Sequence, residues 1–177
     1  FGPVQFVPPR YMTENPGFTF APILAQPFST GTVRLASADP HDNAVVDPHY
    51  LEDERDVQLF EYGIALAREL VQHAAFDPFR GKELAPGADV TDAEGIRAYI
   101  REAAGTVWHP ACTCKMGAAE DPTTVVNARL QVHGVRRLRI ADASVMPTLV
   151  NANPHASILA IAEKAADMIA EDAAVGA

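Results

Sequence analysis

Val107-Trp108-His109-Pro110-Ala111-Cys112-Thr113-Cys114-Lys115-Met116-Gly117 is the stretch whose reading decides this chain. Two later stretches give it force: Leu138-Arg139-Ile140-Ala141-Asp142-Ala143-Ser144-Val145-Met146-Pro147 and Asn151-Ala152-Asn153-Pro154-His155-Ala156. The first places a histidine, stiffened by Trp108 and Pro110, in a loop between helix and strand. The second is a short apolar strand, Leu138–Ile140, that ends in a polar turn at Asp142-Ala143-Ser144. The third opens a helix, because Asn is a favoured N-cap and Pro a favoured first helical residue.

The elements around these stretches follow from periodicity and turn chemistry. Residues 1–16 are rich in Pro and Gly without a clear period and read as a loop. Phe18–Gln26 reads as a strand interrupted at Pro22, which suits an edge or a bulge. Gly31–Ser37 alternates cleanly, with Val33 and Leu35 facing one way. Asp39-Pro40 and Asp47-Pro48 bracket a short strand at Val45-Val46. The spacing of Val57, Phe60, Ile64, Ala67 and Val71 predicts a helix over 54–74. Thr91-Asp92-Ala93-Glu94 matches a capping box ahead of a helix that buries Ile96, Tyr99, Ile100 and Ala103. Leu130–Val132 and Leu138–Ile140 are strands joined by a turn at His133-Gly134. The last helix is predicted from about Pro154 to Ala173, burying Ile158, Ala162, Ala165 and Ile169. Without a regular strand–helix alternation, this order predicts an α+β fold, its largely antiparallel sheet covered by helices on one side.

Composition narrows the function classes. A chain of 177 residues suits one domain with a real core. Its formal net charge of -9 argues against a nucleic-acid or anionic-membrane surface. No apolar run approaches the roughly 20 residues that span a bilayer, so no membrane-spanning segment is expected. The start at Phe1, without Met or signal-peptide features, reads as a fragment, a processed product or a subunit. Cys112 and Cys114 stand one residue apart, a spacing that rarely forms a disulfide. With His109 and His133 they could supply donors to zinc, but metal sites draw about four ligands from more than one motif, and no metal is expected. The cysteines point mildly to a reducing compartment, which tilts localisation towards the cytoplasm.

Taken together, the three stretches resemble the C-terminal half of the glucose–methanol–choline (GMC) flavoprotein oxidoreductases. There a His-Pro-x-Gly-Thr-x-x-Met-Gly loop carries the catalytic base, and an Asn-Pro pair opening the last helix carries its partner. The resemblance begins near Ser29-Thr30-Gly31-Thr32-Val33-Arg34-Leu35, continues through Val46-Asp47-Pro48-His49-Tyr50-Leu51 and ends inside the final helix at Ala162-Glu163-Lys164. It implies an irregular lead-in over residues 1–28, a substrate-binding and catalytic domain over 29–173 and a tail over 174–177. It implies FAD as cofactor, a small-molecule alcohol as substrate, and a last helix that abuts the flavin.

The resemblance also assigns roles. His109 is the base that takes the hydroxyl proton while hydride passes to the flavin, a task that suits imidazole near neutral pH. Asn153 is its partner, a hydrogen-bonding group as well as a cap. Asp142, Ala143 and Ser144 contact the ribityl and pyrophosphate region, with a plain strand-end turn as the alternative. Asn153, Pro154 and His155 bring the helix N-terminus to the flavin ring, where N–H groups and the helix dipole favour negative charge. His155 is either flavin-adjacent or a polar residue of the first turn. His133 is expected to be structural, and His41, His49 and His73 to be solvated surface.

Two departures from the family pattern stand out. Cys112 replaces the Gly of the motif, a residue that permits positive φ and close approach; either the loop shifts or room beside the flavin shrinks. None of the eleven glycines forms a Gly-x-Gly pair, the start of the turn that seats a dinucleotide pyrophosphate. The ADP half of FAD is therefore expected on an N-terminal segment or a second chain. The main reading is the C-terminal portion of an FAD-dependent alcohol oxidase or dehydrogenase. The alternative is a non-oxidative use of the scaffold, as a lyase, a photodecarboxylase or a non-catalytic binding fragment.

Overall fold

The computed structural model describes residues 9–11 and 16–175. Most of the expected loop over 1–16 and the end of the expected tail lie outside the described residues. The chain divides into two compact units, one of Phe1–Thr32 with Val46–Thr106, the other of Val33–Val45 with Val107–Ala177. The class is α+β.

In the first unit, helix α1 runs over Glu54–Val71 and helix α2 over Ala93–Ala103. The expected α1 face is the observed one: Val57 is buried, and Phe60, Ile64, Ala67 and Val71 are half-buried. It meets the α2 stripe, with Val57, Ile96 and Ile100 forming one core to which Leu51, Phe60, Ile64 and Val90 add. The helix stops three residues before the predicted end. Its last carbonyls turn to shorter-range partners, Gln72 N donating to Glu69 O at 3.1 Å and His73 N to Leu70 O at 3.1 Å. Arg80 Nη1 donates to Val71 O at 2.7 Å, and Ala74–Phe76 forms a separate 3-10 turn. The capping box is displaced by one residue: Asp92, not Thr91, is the N-cap, accepting from Gly95 N at 2.8 Å. Arg97 ties the two helices, 2.7 Å from Glu61 and 2.8 Å from Glu54.

The expected strand over Phe18–Gln26 does not form; the segment is irregular. Phe18 and Phe20 instead pack on Phe76, with ring centroids 5.7 and 5.6 Å from it. Pro22 lies so close to α1 that a Cβ added at Gly63 would come within 2.7 Å of it. Apolar packing against the helix has won over sheet pairing, for which Pro22 lacks the donor. The buried Asp56 anchors the end of this segment, accepting from Phe28 N and Ser29 N, each at 2.8 Å.

Strand β1 (Thr32–Arg34) pairs with β2 (Val45–Asp47) in a two-stranded sheet. Both are shorter or more exposed than the alternation suggests, and Leu35 is 87% exposed. Glycine is required at 31, where an added Cβ would meet Asp47 O at 2.2 Å.

The second unit is built on Val126, Leu130, Val145 and Ala165, with Met116, Val132, Ile140 and Ile161 packed around them. The expected pairing across the His133-Gly134 turn is present as isolated bridges rather than strands. Val132 N donates to Leu138 O at 3.0 Å and Ile140 N to Leu130 O at 3.1 Å, and Gln131 bridges Arg139 antiparallel. Helix α3 covers His155–Val175. Its buried face is Ile158, Ile161, Ala165 and Met168, whereas the predicted Ala162 and Ile169 are exposed. In an alanine-rich helix both stripes have acceptable spacing, and a polar tether selects between them. Arg129 donates to Met168 O at 3.3 Å and to Asp172 at 2.7 Å, and Arg139 also holds Asp172.

Candidate active site

His109 sits exposed in the irregular stretch after α2. Two non-glycine residues in the left-handed region bracket it, Trp108 at φ 57° and Cys112 at φ 68°. Each such residue costs about 1–2 kcal/mol and persists only where its surroundings impose it. At Cys112 a backbone register imposes it. Cys112 N donates to Ala143 O at 3.2 Å, Cys114 N to Ser144 O at 2.9 Å and Met116 N to Val145 O at 2.9 Å. Cys112 thus adopts the conformation that glycine takes freely. Burial raises the Cys112 thiol above its ordinary range, with Lys115 pulling the other way. The residue is a neutral thiol and not a primed nucleophile.

The same register fixes the Asp142–Ser144 turn. Asp142 Oδ1 accepts from Ser144 N at 2.8 Å, capping a 3-10 turn over Ala143–Val145. Asp142 is exposed, Ala143 and Ser144 are half-buried, and Val145 is fully buried. One carboxylate oxygen therefore serves the turn and the other does not.

At the start of α3 the helix begins one residue later than predicted. Pro154 is buried, and its carbonyl accepts from Ile158 N at 2.9 Å. That bond makes Pro154 the cap and puts Asn153 one position ahead of it, so Asn153 is not the N-cap. The buried proline ring fixes the boundary. Asn153 and His155 are exposed, and the first N–H groups of the helix precede its hydrogen-bonded ladder.

The core brings these three segments together. Met116 of the histidine loop, Val145 of the turn and Ile161 and Ala165 of α3 share one apolar cluster. His109, Asp142, Asn153 and His155 all stand outside it, exposed. Gly117 closes the loop against Thr124, whose Cγ2 would lie 2.4 Å from an added Cβ.

His133 is structural, its Nε2 3.2 Å from Gly117 O. His49 departs from its expected solvated setting. It is half-buried, with Nδ1 3.2 Å from Thr30 O and from Glu52, and Nε2 3.0 Å from Asp47. Carboxylates two residues before and three after it were the signal available in the sequence. Arg129, Arg139 and Asp172, which orient α3, carried no comparable signal because they are far apart in the chain. Among the described residues, no group of three or more His, Cys, Asp or Glu could hold a metal ion. No helix among them is long and apolar enough to cross a membrane.

The chain is similar to known flavoprotein oxidoreductases in sequence and in fold. A family profile described as GMC oxidoreductase matches residues 27–162. Mitochondrial choline dehydrogenase of Mus musculus is 48% identical over 141 residues, covering 80% of this chain and 24% of that enzyme. Choline oxidase of Arthrobacter globiformis is 41% identical over 161 residues, covering 90% of this chain and 30% of that enzyme. Among solved structures, pyridoxine 4-oxidase from Mesorbium loti aligns with a TM-score of 0.74 and 34% identity, over 81% of this chain and 28% of that one. A fungal aryl-alcohol oxidase aligns with a TM-score of 0.75 and 35% identity, over 84% of this chain and 24% of that one. The chain thus spans between 24% and 30% of the length of these relatives. With the family profile over most of its length and the histidine loop, turn and final helix on one core, the chain belongs to the GMC oxidoreductase family.

Proposed function

We propose that this chain supplies the catalytic base and the cofactor-facing helix of an FAD-dependent alcohol oxidoreductase, with residues 29–173 as the working module. The observation that carries the reading is the backbone register between Cys112–Met116 and Ala143–Val145. It holds the loop of a candidate base beside the turn of a candidate cofactor site.

The donors present suit the ring and ribityl half of a flavin. The open N-terminus of α3 offers N–H groups to an electron-rich ring edge. The Ala143–Ser144 backbone and the free oxygen of Asp142 suit a polyol. Asn153, Pro154 and His155 would hold the ring edge, and Asp142, Ala143 and Ser144 the ribityl side. The ADP half needs a glycine-rich turn that this chain lacks, so an FAD-binding segment or a partner chain would supply it. When bound, the flavin supplies the acceptor for a hydride.

The protein groups then divide the remaining work. Imidazole Nε2 or Nδ1 of His109 takes the hydroxyl proton of the alcohol. Asn153 hydrogen-bonds the same oxygen and orients it. The α3 N-terminus would favour negative charge on a flavin held there. The substrate is a small alcohol; choline is the first to test, since relatives bearing its name are 41–48% identical.

The test is anaerobic flavin reduction in the flavin-loaded enzyme, with choline and with benzyl alcohol. His109→Ala should retain flavin and slow reduction by about 10²–10⁴-fold, the usual worth of a positioned base. Reduction at the wild-type rate would remove His109 from the chemistry and leave His155 as the next candidate.

A further inference from the structure

The hairpin from Leu130 to Ile140 borders a groove of about 500 Å³. Most of the polar groups that line it already have partners. Asn127 donates to Gln131 at 3.0 Å, Gln131 donates to Asp172 at 3.3 Å, and His133 lies 3.2 Å from Gly117 O. Arg139 is held by Asp172 and by Arg129 O. Arg136 and Arg137 are different. Both are exposed, and among the described residues neither forms a hydrogen bond or an ion pair. Arg137 is held at φ 61°, in the left-handed region. Beside them Val135 and Leu138 stand 50% and 48% exposed.

We propose that this groove binds a small organic phosphate, its phosphate on Arg136 and Arg137 and its apolar body on Val135 and Leu138. What the groove has left to offer is two guanidinium forks and two aliphatic side chains. Both arginines line the same groove, and two guanidinium groups suit a tetrahedral oxyanion better than a single carboxylate. The aliphatic pair favours an ester over the free ion. The site does not depend on the alcohol-oxidising reading.

Calorimetric titration of the full chain with phenyl phosphate and with inorganic phosphate tests the proposal at low salt. Phenyl phosphate should bind saturably and more tightly than inorganic phosphate. The double variant Arg136→Ser, Arg137→Ser should weaken it by about tenfold or more, since charge-assisted bidentate contacts are lost. Lys164→Ser, which removes an exposed cation elsewhere, should leave binding unchanged, and Leu138→Ser should narrow the gap between the two ligands. Absence of saturable binding, or equal binding by the double variant, would overturn the site. A phospholipid headgroup offers the same chemistry. Sedimentation with phosphatidylglycerol vesicles that phenyl phosphate does not displace would overturn a site for soluble esters.

Discussion

Cys112 N–H donates to the carbonyl of Ala143 across 3.2 Å, and this bond holds a cysteine at φ 68°. The loop of the candidate base and the turn of the candidate cofactor site are therefore one backbone unit. A change at either side is transmitted through this register as well as through the apolar cluster that Met116 and Val145 share.

Replacing Cys112 tests that strain. Cys112→Gly removes a left-handed penalty of about 1–2 kcal/mol, against an entropic cost of about 0.5–1 kcal/mol for glycine. The net expectation is a gain of roughly 0–1.5 kcal/mol. Cys112→Val, branched at Cβ, should destabilise. Thermal melts of the two variants check the signs; a less stable glycine variant would mean that the thiol packs more productively than its half-burial suggests.

Asn153 offers a test in which stability and chemistry separate. The cap of α3 is the Pro154 carbonyl, so Asn153→Ala should stay within about 0.5 kcal/mol of wild type, as exposed substitutions usually do. Flavin reduction should nonetheless slow, though less than on loss of His109, because the base remains. A melting point lowered as far as for a lost cap, with unchanged reduction, would reduce Asn153 to a structural residue.

Asp56 should be the costliest single carboxylate to remove. It is 1% exposed and accepts from Phe28 N, Ser29 N and Ser29 Oγ at 2.8, 2.8 and 2.5 Å. Asp56→Ala leaves these donors without an acceptor, at about 1–3 kcal/mol for each one left buried. Ser29→Ala, which removes only the hydroxyl, should cost about 1 kcal/mol. Urea unfolding of both variants would show the order, and an equal loss would contradict it.

Acid stability should follow the carboxylates held by hydrogen bonds to Arg55, Arg97 and Thr123. Asp53 is lowered to about 2, first by the Arg55 side chain and then by the Arg55 backbone N–H. The Arg97 side chain lowers Glu61, and the Thr123 hydroxyl lowers Asp121. A depressed carboxylate stabilises the fold above its unfolded value, near 3.9 for Asp, and that contribution fades as pH falls towards the folded value. Stability should hold from neutrality to about pH 4 and decline below it. In Asp53→Asn the decline should be shallower, as melts between neutral and strongly acidic pH would reveal.

The sequence by itself determined the local features. The α1 face from Val57 to Val71, the Asp92 region as a helix start, the turn at His133-Gly134 and the order of loop, turn and last helix all depend on neighbours within a few residues. Periodicity and capping act over that range. The motif residues were also legible, because the three stretches lie in a fixed order whatever the fold around them.

Tertiary structure decided what depends on distant partners. Pro22 against Gly63 kept Phe18–Gln26 out of a sheet. Arg129 and Arg139, holding Asp172, selected the Ile161–Met168 stripe of α3 over Ala162 and Ile169. The buried ring of Pro154 moved the cap past Asn153. The register with Ala143 gave Cys112 a glycine's conformation. Local propensity left alternatives open at these positions, and packing and hydrogen bonding beyond the immediate neighbours chose between them.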